Sequence, residues 1–298
     1  MSLAFQREDP LRPGEPAEIL PGVRRLLCGN PGPYTFGGTN SWIIGRGRIA
    51  VLDPGPEDAA HLAAILDATR GERIEAILVS HTHRDHSPGA AALARATGAP
   101  TLGFGPHATS RDDGDEGGDH AFRPDRRLAD GETVQGDGWQ LTALHTPGHC
   151  GNHLCFALEP GEVLFSADHV MGWSTSIVSP PDGDMAAYME SLARVAARPE
   201  RLFLPGHGPP VPEPQRFSSA LLAHRRLREA RVLEALSAAR GGTAEALVPP
   251  VYGPGLDPRL VPAAARSLLA HLIKLEAEGR AARDGSVWRH VYGTMRSD

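Results

Sequence analysis

Up to residue 204, short apolar runs alternate with stretches whose apolar positions recur at helical spacing. SWIIG (41–45) and RIAVLD (48–53) predict two strands joined across Gly45, Arg46 and Gly47. Between 57 and 69, Leu62, Ile65, Leu66 and Thr69 fall on one helical face, and Gly71 marks the stop. IEAILV (74–79) is apolar enough for a buried strand. Ser87 and Pro88 read as an N-cap and a first helical position for GAAALARAT (89–97). APTLGF (99–104), WQLTALH (139–145), HLCFAL (153–158) and EVLFSA (162–167) predict strands, with Glu159, Pro160 and Gly161 turning between the last two. DMAAYMESLARVAA (184–197) is an amphipathic helix and RLFL (201–204) a short strand. The proline-rich PGHGPPVPEP (205–214) then closes the unit.

Beyond it the period changes. One long Ala/Leu/Arg helix is predicted over 217–239, a second from Thr243, Ala244 and Glu245, and a third over 259–278. RAARDGSVWRHVY (280–292) reads as two short strands around Asp284 and Gly285, a strong hairpin signal. Three helices and a hairpin make a winged-helix-like unit. The expected division is therefore residues 1–214 as a larger domain and 215–298 as a small helical one.

The chain has 298 residues, 41% of them hydrophobic, which suffices for one large core and a small one. A net charge of -6 demands no polyanionic or membrane partner, but the charge is uneven. Of 30 basic and 36 acidic residues, 13 and 8 lie in 216–298, so the tail is basic and the body acidic. Cys28, Cys150 and Cys155 are odd in number and lack CxxC spacing, which argues for free thiols in a reducing compartment. The N-terminal MSLAFQREDPLRPGEP has no apolar signal core, and no apolar run approaches the about 20 residues of a membrane span. A cytoplasmic protein without a membrane partner is expected.

Candidate chemistry concentrates in four loops, each placed after a predicted strand. SHTHRDHSPG (80–89) offers His81, His83, Asp85 and His86; TPGH offers His149, SADH Asp168 and PGHG His207. Loops at strand ends can aim side chains into one cleft, and the glycines beside His149 and His207 permit close backbone approach. Imidazole and carboxylate donors suit zinc, with iron or manganese as alternatives. Seven donors exceed one tetrahedral ion and fit two ions about 3.5–4 Å apart sharing a nucleophilic hydroxide.

Other residues invite both plain and functional readings. His145 and His153 flank His149 as packed or supporting residues, and His169 follows Asp168 as a hydrogen-bonding group or a proton shuttle. His107, His120, His224, His271 and His290 read as structural or exposed, and Cys150 as a small buried residue. Asp53 either orients a ligand or turns the chain before Pro54. NPGPYTFGGTN (30–40) reads as a cleft-lining loop with Tyr34 and Phe36 as walls, or as a connector. The acidic RDDGDEGGDH (111–120) matches no EF-hand spacing. Ser80, Ser87 and Ser166 lie near the donors but form no recognisable triad.

The order HxHxDH, TPGH histidine, aspartate and PGHG histidine resembles the metallo-β-lactamase superfamily. NPGPYTFGGTN, YMESL, PGHGPPV, HRRLRE and HLIKLEAEG further resemble its β-lactamase-like protein 2 branch, which has endoribonuclease members. The resemblance implies an α+β fold, a four-layer αββα sandwich with a small C-terminal winged-helix-like domain. It implies His81, His83 and His149 on one metal, Asp85, His86 and His207 on the other, and Asp168 bridging both. Two zinc ions are the implied cofactors, and Asp85 and Asp168 the candidate catalytic carboxylates. The implied activity is metal-dependent hydrolysis, first of a phosphodiester such as single-stranded RNA, gripped by Arg225, Arg226, Arg228 and Arg231. The alternative is a small thioester or ester substrate, as in glyoxalase II. β-Lactam hydrolysis fits less well without a secretion signal.

Overall fold

The computed structural model describes residues 3–110 and 117–291. Its first sheet has seven strands in sequential order: β1 (Ala17–Leu20), β2 (Val23–Leu27), β3 (Asn40–Arg46), β4 (Arg48–Leu52), β5 (Arg73–Leu78), β6 (Thr101–Gly103) and β7 (Arg126–Arg127). Neighbours from β1 to β4 run antiparallel, and those from β4 to β7 parallel. Parallel neighbours need a crossover. Helices α1 (Ala59–Ala68) and α2 (Gly89–Thr97) provide those from β4 to β5 and from β5 to β6.

The second sheet has six strands, also in sequential order: β8 (Thr133–Gly136), β9 (Trp139–His145), β10 (Leu154–Glu159), β11 (Val163–Ala167), β12 (Leu202–Pro205) and β13 (Val211–Pro212). Only β11 and β12 are parallel, and α3 (Met185–Ala196) crosses between them.

Side-chain alternation makes the layers. Trp42 and Ile44 of β3 meet Leu141, Phe156 and Phe165 between the sheets. Phe156 faces Phe165 across the β10–β11 register, and Phe165 meets Trp42 edge-on at 5.6 Å. The intervening Ile43 turns outward beneath Ile65 of α1 and Leu93 of α2. On the other sheet Cys155, Leu164 and Phe203 turn outward beneath Tyr188 and Leu192 of α3. Each such apolar side chain contributes about 1.5–3 kcal/mol by leaving water. The expected four-layer α+β sandwich is thus present.

Asp58 and Asp184 cap α1 and α3 by accepting backbone N–H groups of the first turn. Ser87 does not cap α2 as expected. Pro88 occupies that position in helical geometry, while the Ser87 hydroxyl donates to Asp119 at 2.6 Å. Strands β1, β2, β7, β8 and β13 were not anticipated. In β2 the pattern is broken by Arg25, which is buried and paired with Asp9 and with Asn40 at 2.7 Å.

Helix α4 (Pro214–Ala239) serves two cores. Leu221 packs beside α3, whereas Val232 and Leu236 join a separate core with Leu247, Leu268, Leu272 and Trp288. That core also takes in α5 (Val248–Tyr252), α6 (Val261–Ala277) and the hairpin of β14 (Ala281–Asp284) and β15 (Val287–His290). The middle helix starts at Val248 rather than Thr243, because Pro249 is preset for a first helical turn. The acidic run 111–120 falls largely outside the described residues. No helix among the described residues is long and apolar enough to cross a membrane.

Candidate metal centre

All seven predicted donors meet at one edge of the sandwich. The loop after β5 carries His81, His83, Asp85 and His86; the β9–β10 loop brings His149; Asp168 and His207 follow β11 and β12. Three donor clusters result: His81, His83 and His149; Asp85, His86 and His207; and His81, His86 and Asp168. Asp168 lies centrally, its oxygens 3.5 Å from His86 Nε2, 3.6 Å from His149 Nε2 and 3.4 Å from His207 Nε2.

The outer nitrogens of three imidazoles are already engaged. His86 Nδ1 donates to Asp53 at 3.0 Å, His149 Nδ1 to the Ile177 carbonyl at 2.6 Å and His207 Nδ1 to the Gly38 carbonyl at 3.1 Å. Each bond turns Nε2 inward, the arrangement that prepares imidazole as a metal ligand. Asp53 therefore orients His86, and also accepts from the Ser80 N–H at 2.7 Å.

The donor set fits divalent metal. His81 Nε2 and His83 Nδ1 are 3.0 Å apart, His86 Nε2 and His207 Nε2 3.2 Å, and His207 Nε2 and Asp85 Oδ2 3.2 Å. Ligands about 2.0–2.1 Å from a tetrahedral zinc stand about 3.3 Å apart. His149 Nε2 and Asp168 Oδ1 are buried with no hydrogen-bond partner among the described residues.

Charge within the cluster is shared unevenly. Burial disfavours charge on His207, but Asp168 and Asp85 outweigh it and raise its pKa to about 9. His86 is raised by Asp168 and Asp85 against the same opposition. Burial would raise both carboxyls, yet His207 and His86 hold Asp168 and Asp85 well below the usual carboxylate range. His83 is lowered to about 4 by burial and by His149, and His81 falls well below its ordinary value by burial and by His86.

Glycine shapes the floor. A Cβ on Gly206 would lie 2.4 Å from Asp168 Oδ1, and one on Gly148 would lie 2.3 Å from the Tyr188 backbone nitrogen. Above the floor opens a cleft of about 630 Å³, reached by His83, Asp85, His149 and Asp168. Tyr34, Met171, Ile177 and Pro180 wall it, and α6 adds Pro262, Ala263 and Arg266.

The remaining candidates divide. Tyr34 lines the cleft, but Phe36 instead stacks on Trp173 at 5.1 Å. His145 packs on Phe104, and His153 Nδ1 meets the Thr146 hydroxyl at 2.8 Å. The His169 ring is buried with neither nitrogen hydrogen-bonded among the described residues. Cys150 is buried as expected, although its sulfur lies near donors of His83 and Asp182.

The four arginines of α4 do not form one exposed row. Arg225 is buried, Arg228 lies 3.9 Å over the Tyr252 ring, and only Arg226 and Arg231 are exposed. At about 100° per residue, Arg225, Arg228 and Arg231 step down one side of the helix while Arg226 points away, and within that run only Arg231 is exposed. Sequence reading missed Ile177 and Gly38, which act through backbone carbonyls and so leave no residue-type signal.

A family model described as the metallo-beta-lactamase superfamily matches residues 34–207, and one described as a beta-lactamase associated winged helix domain matches 243–288. Atrochrysone carboxyl ACP thioesterase AgnL7 of Paecilomyces divaricatus is 30% identical over 94% of this chain and 88% of its own length. The atrochrysone carboxyl ACP thioesterase of Passalora fulva is 34% identical over 80% of this chain and 71% of its own. Among solved structures, a beta-lactamase domain protein from Burkholderia ambifaria superposes with a TM-score of 0.79 at 24% identity, covering 95% of this chain and 96% of its own. A protein solved in a di-iron-bound form gives 0.50 at 26% identity, over 63% of this chain and 94% of its own.

Proposed function

The chain belongs to the metallo-β-lactamase superfamily and is a hydrolase, and from that premise we propose that it cleaves thioesters at a pair of divalent metals. The observation that carries the substrate class is that relatives at 30% and 34% identity, matched over most of both chains, are named ACP thioesterases. The phosphodiester reading lacks comparable support: the two relatives described above are named for thioesters, and of the arginines expected to grip a strand Arg225 is buried and Arg228 lies over Tyr252.

His81, His83 and His149 would hold one metal, Asp85, His86 and His207 the other, and Asp168 would stand between them. The donor spacings support this division. Zinc suits the nitrogen and oxygen donors best, and the di-iron-bound structural relative makes iron the alternative. Metals held there would supply an acidified water and stabilise the developing oxyanion.

The chain itself contributes position and polarity. Asp85 and Asp168 balance the positive charge of the centre. Tyr34, Met171, Ile177 and Pro180 offer an apolar wall for the acyl part of a substrate. A thiol has a pKa of about 8.5, so a thiolate leaves readily without a proton donor. The three cysteines are free thiols, which fits a reducing cytoplasmic setting.

The test is a substrate panel on metal-replete protein: acyl-pantetheine and acyl-carrier thioesters, labelled single-stranded RNA, lactones and a β-lactam. Thioester turnover should dominate, and His83→Ala or Asp168→Asn should abolish it while the protein stays folded. Faster cleavage of RNA than of every thioester would overturn the assignment.

A further inference from the structure

Arg225 sits on α4 with 3% of its surface exposed, and no carboxylate among the described residues pairs with it. Its guanidinium donates to the Ser176 carbonyl, approaches the Ser267 hydroxyl at 3.5 Å and lies 5.2 Å over the Tyr188 ring. Its Nε is buried without a partner among the described residues. A cation buried this way is costly, and an apolar side chain of similar volume commonly serves folding as well or better. Stability alone therefore gives a weak account of it.

Ser176 explains it better. The next carbonyl, that of Ile177, accepts from His149 Nδ1 at 2.6 Å and so turns His149 Nε2 toward Asp168. The Ser176 hydroxyl donates to the carbonyl of His169 at 2.9 Å, and the Tyr188 hydroxyl donates to the same oxygen at 3.1 Å. One guanidinium thus fixes a segment tied both to His149 and to the residue following Asp168. We propose that Arg225 is a positioning residue: through Ser176 and Ile177 it sets the His149 imidazole and couples the C-terminal helices to the metal centre. This rests on the reading of His149 as a metal ligand.

The experiment uses the full chain, stripped of metal and titrated calorimetrically with Zn²⁺, beside thermal unfolding of the metal-free form. His149→Ala marks which binding event depends on that histidine. Arg225→Met keeps length without donors, and should weaken that same event about 10–100-fold, the usual effect of removing a residue that supports a ligand. The other event should keep wild-type affinity. Arg225→Lys should fall between, and Ser267→Ala, which leaves the Ser176 bond intact, should match wild type. Wild-type affinities in Arg225→Met overturn the proposal, as does equal weakening of both events with a lowered metal-free melting temperature. If Arg225→Met does not fold, unchanged affinity in Arg225→Lys overturns it. A wild-type chain that binds no zinc fails at the earlier step, the metal reading itself.

Discussion

Asp53 Oδ2 lies 3.0 Å from His86 Nδ1, and the same oxygen accepts from the Ser80 hydroxyl at 2.6 Å. One carboxylate thereby ties the end of β4 to the start of the HTHRDH loop. Asp53 holds this place at a positive φ of 52°, a conformation that Asp and Asn tolerate better than most residues. Asn at this position keeps the backbone but loses the charge and one acceptor. Asp53→Asn should weaken metal binding at the Asp85, His86 and His207 group about 10–100-fold. Competition against a chelator measures it, and wild-type affinity would remove Asp53 from the site.

Arg266 of α6 lines the cleft from the C-terminal side and has no ion pair among the described residues. Arg84, in the HTHRDH loop, lines the same cleft. Charge at such a rim acts on encounter with a charged substrate more than on chemistry. Arg266→Glu should raise KM for anionic thioesters about fivefold, or about 1 kcal/mol, with kcat nearly unchanged. The effect should shrink in high salt and vanish for a neutral thioester. An equal change on neutral and anionic substrates would show that Arg266 acts through packing.

Most of the sandwich and the donor loops were legible because each left a mark in residue type. Buried strands such as IEAILV have no polar interruption, and His81, His83, Asp85 and His86 are crowded as only a ligand loop requires. What stayed hidden is what tertiary contact decides. Strand β2 was missed because Arg25, polar in sequence, is neutralised by the distant Asp9. The burial of Arg225, expected instead to grip a strand, leaves no mark in the sequence because a 3.6-residue period assigns no single inward face to a helix lying between two cores. The carbonyls of Gly38 and Ile177 are available in any residue, so nothing in composition marks them. Substrate class was not legible either, since the seven donors serve thioester and phosphodiester alike.

The titrations set the pH window of the metal-free protein. His207, raised to about 9, and His86, also raised, favour the fold most while protonated. Their contribution is full below the unfolded value of about 6.5 and is lost as pH climbs toward 9. Burial lowers His61 and His83 to about 4 and His169 to about 3. Those groups stabilise the fold above about 6.5 and cease to do so as pH falls toward 4. Thermal unfolding of metal-depleted protein should therefore peak near pH 6.5 and decline on both sides. Metal must displace the protons on His86 and His207, so zinc affinity should rise with pH across the same upper window. A melting temperature still climbing between pH 7 and 9 would contradict the raised values.

Gly206 gives the sharpest steric test. Its N–H donates to the Ala167 carbonyl at 2.9 Å and its own carbonyl accepts from the Asn40 N–H at 2.8 Å, so the backbone is tethered on both sides. A methyl group there would stand 2.4 Å from Asp168 Oδ1 and 2.7 Å from His86 Cε1, and neither neighbour can retreat without abandoning the centre. Gly206→Ala should cost about 1–3 kcal/mol of metal-free stability by overpacking, and should also reduce zinc stoichiometry. Gly255 makes the control, because an added Cβ there meets nothing within 4 Å and its φ is not positive. Gly255→Ala should leave both stability and stoichiometry near wild type. If Gly206→Ala bound two zinc ions as tightly as the parent, Asp168 and His86 could not both be ligands in the arrangement proposed.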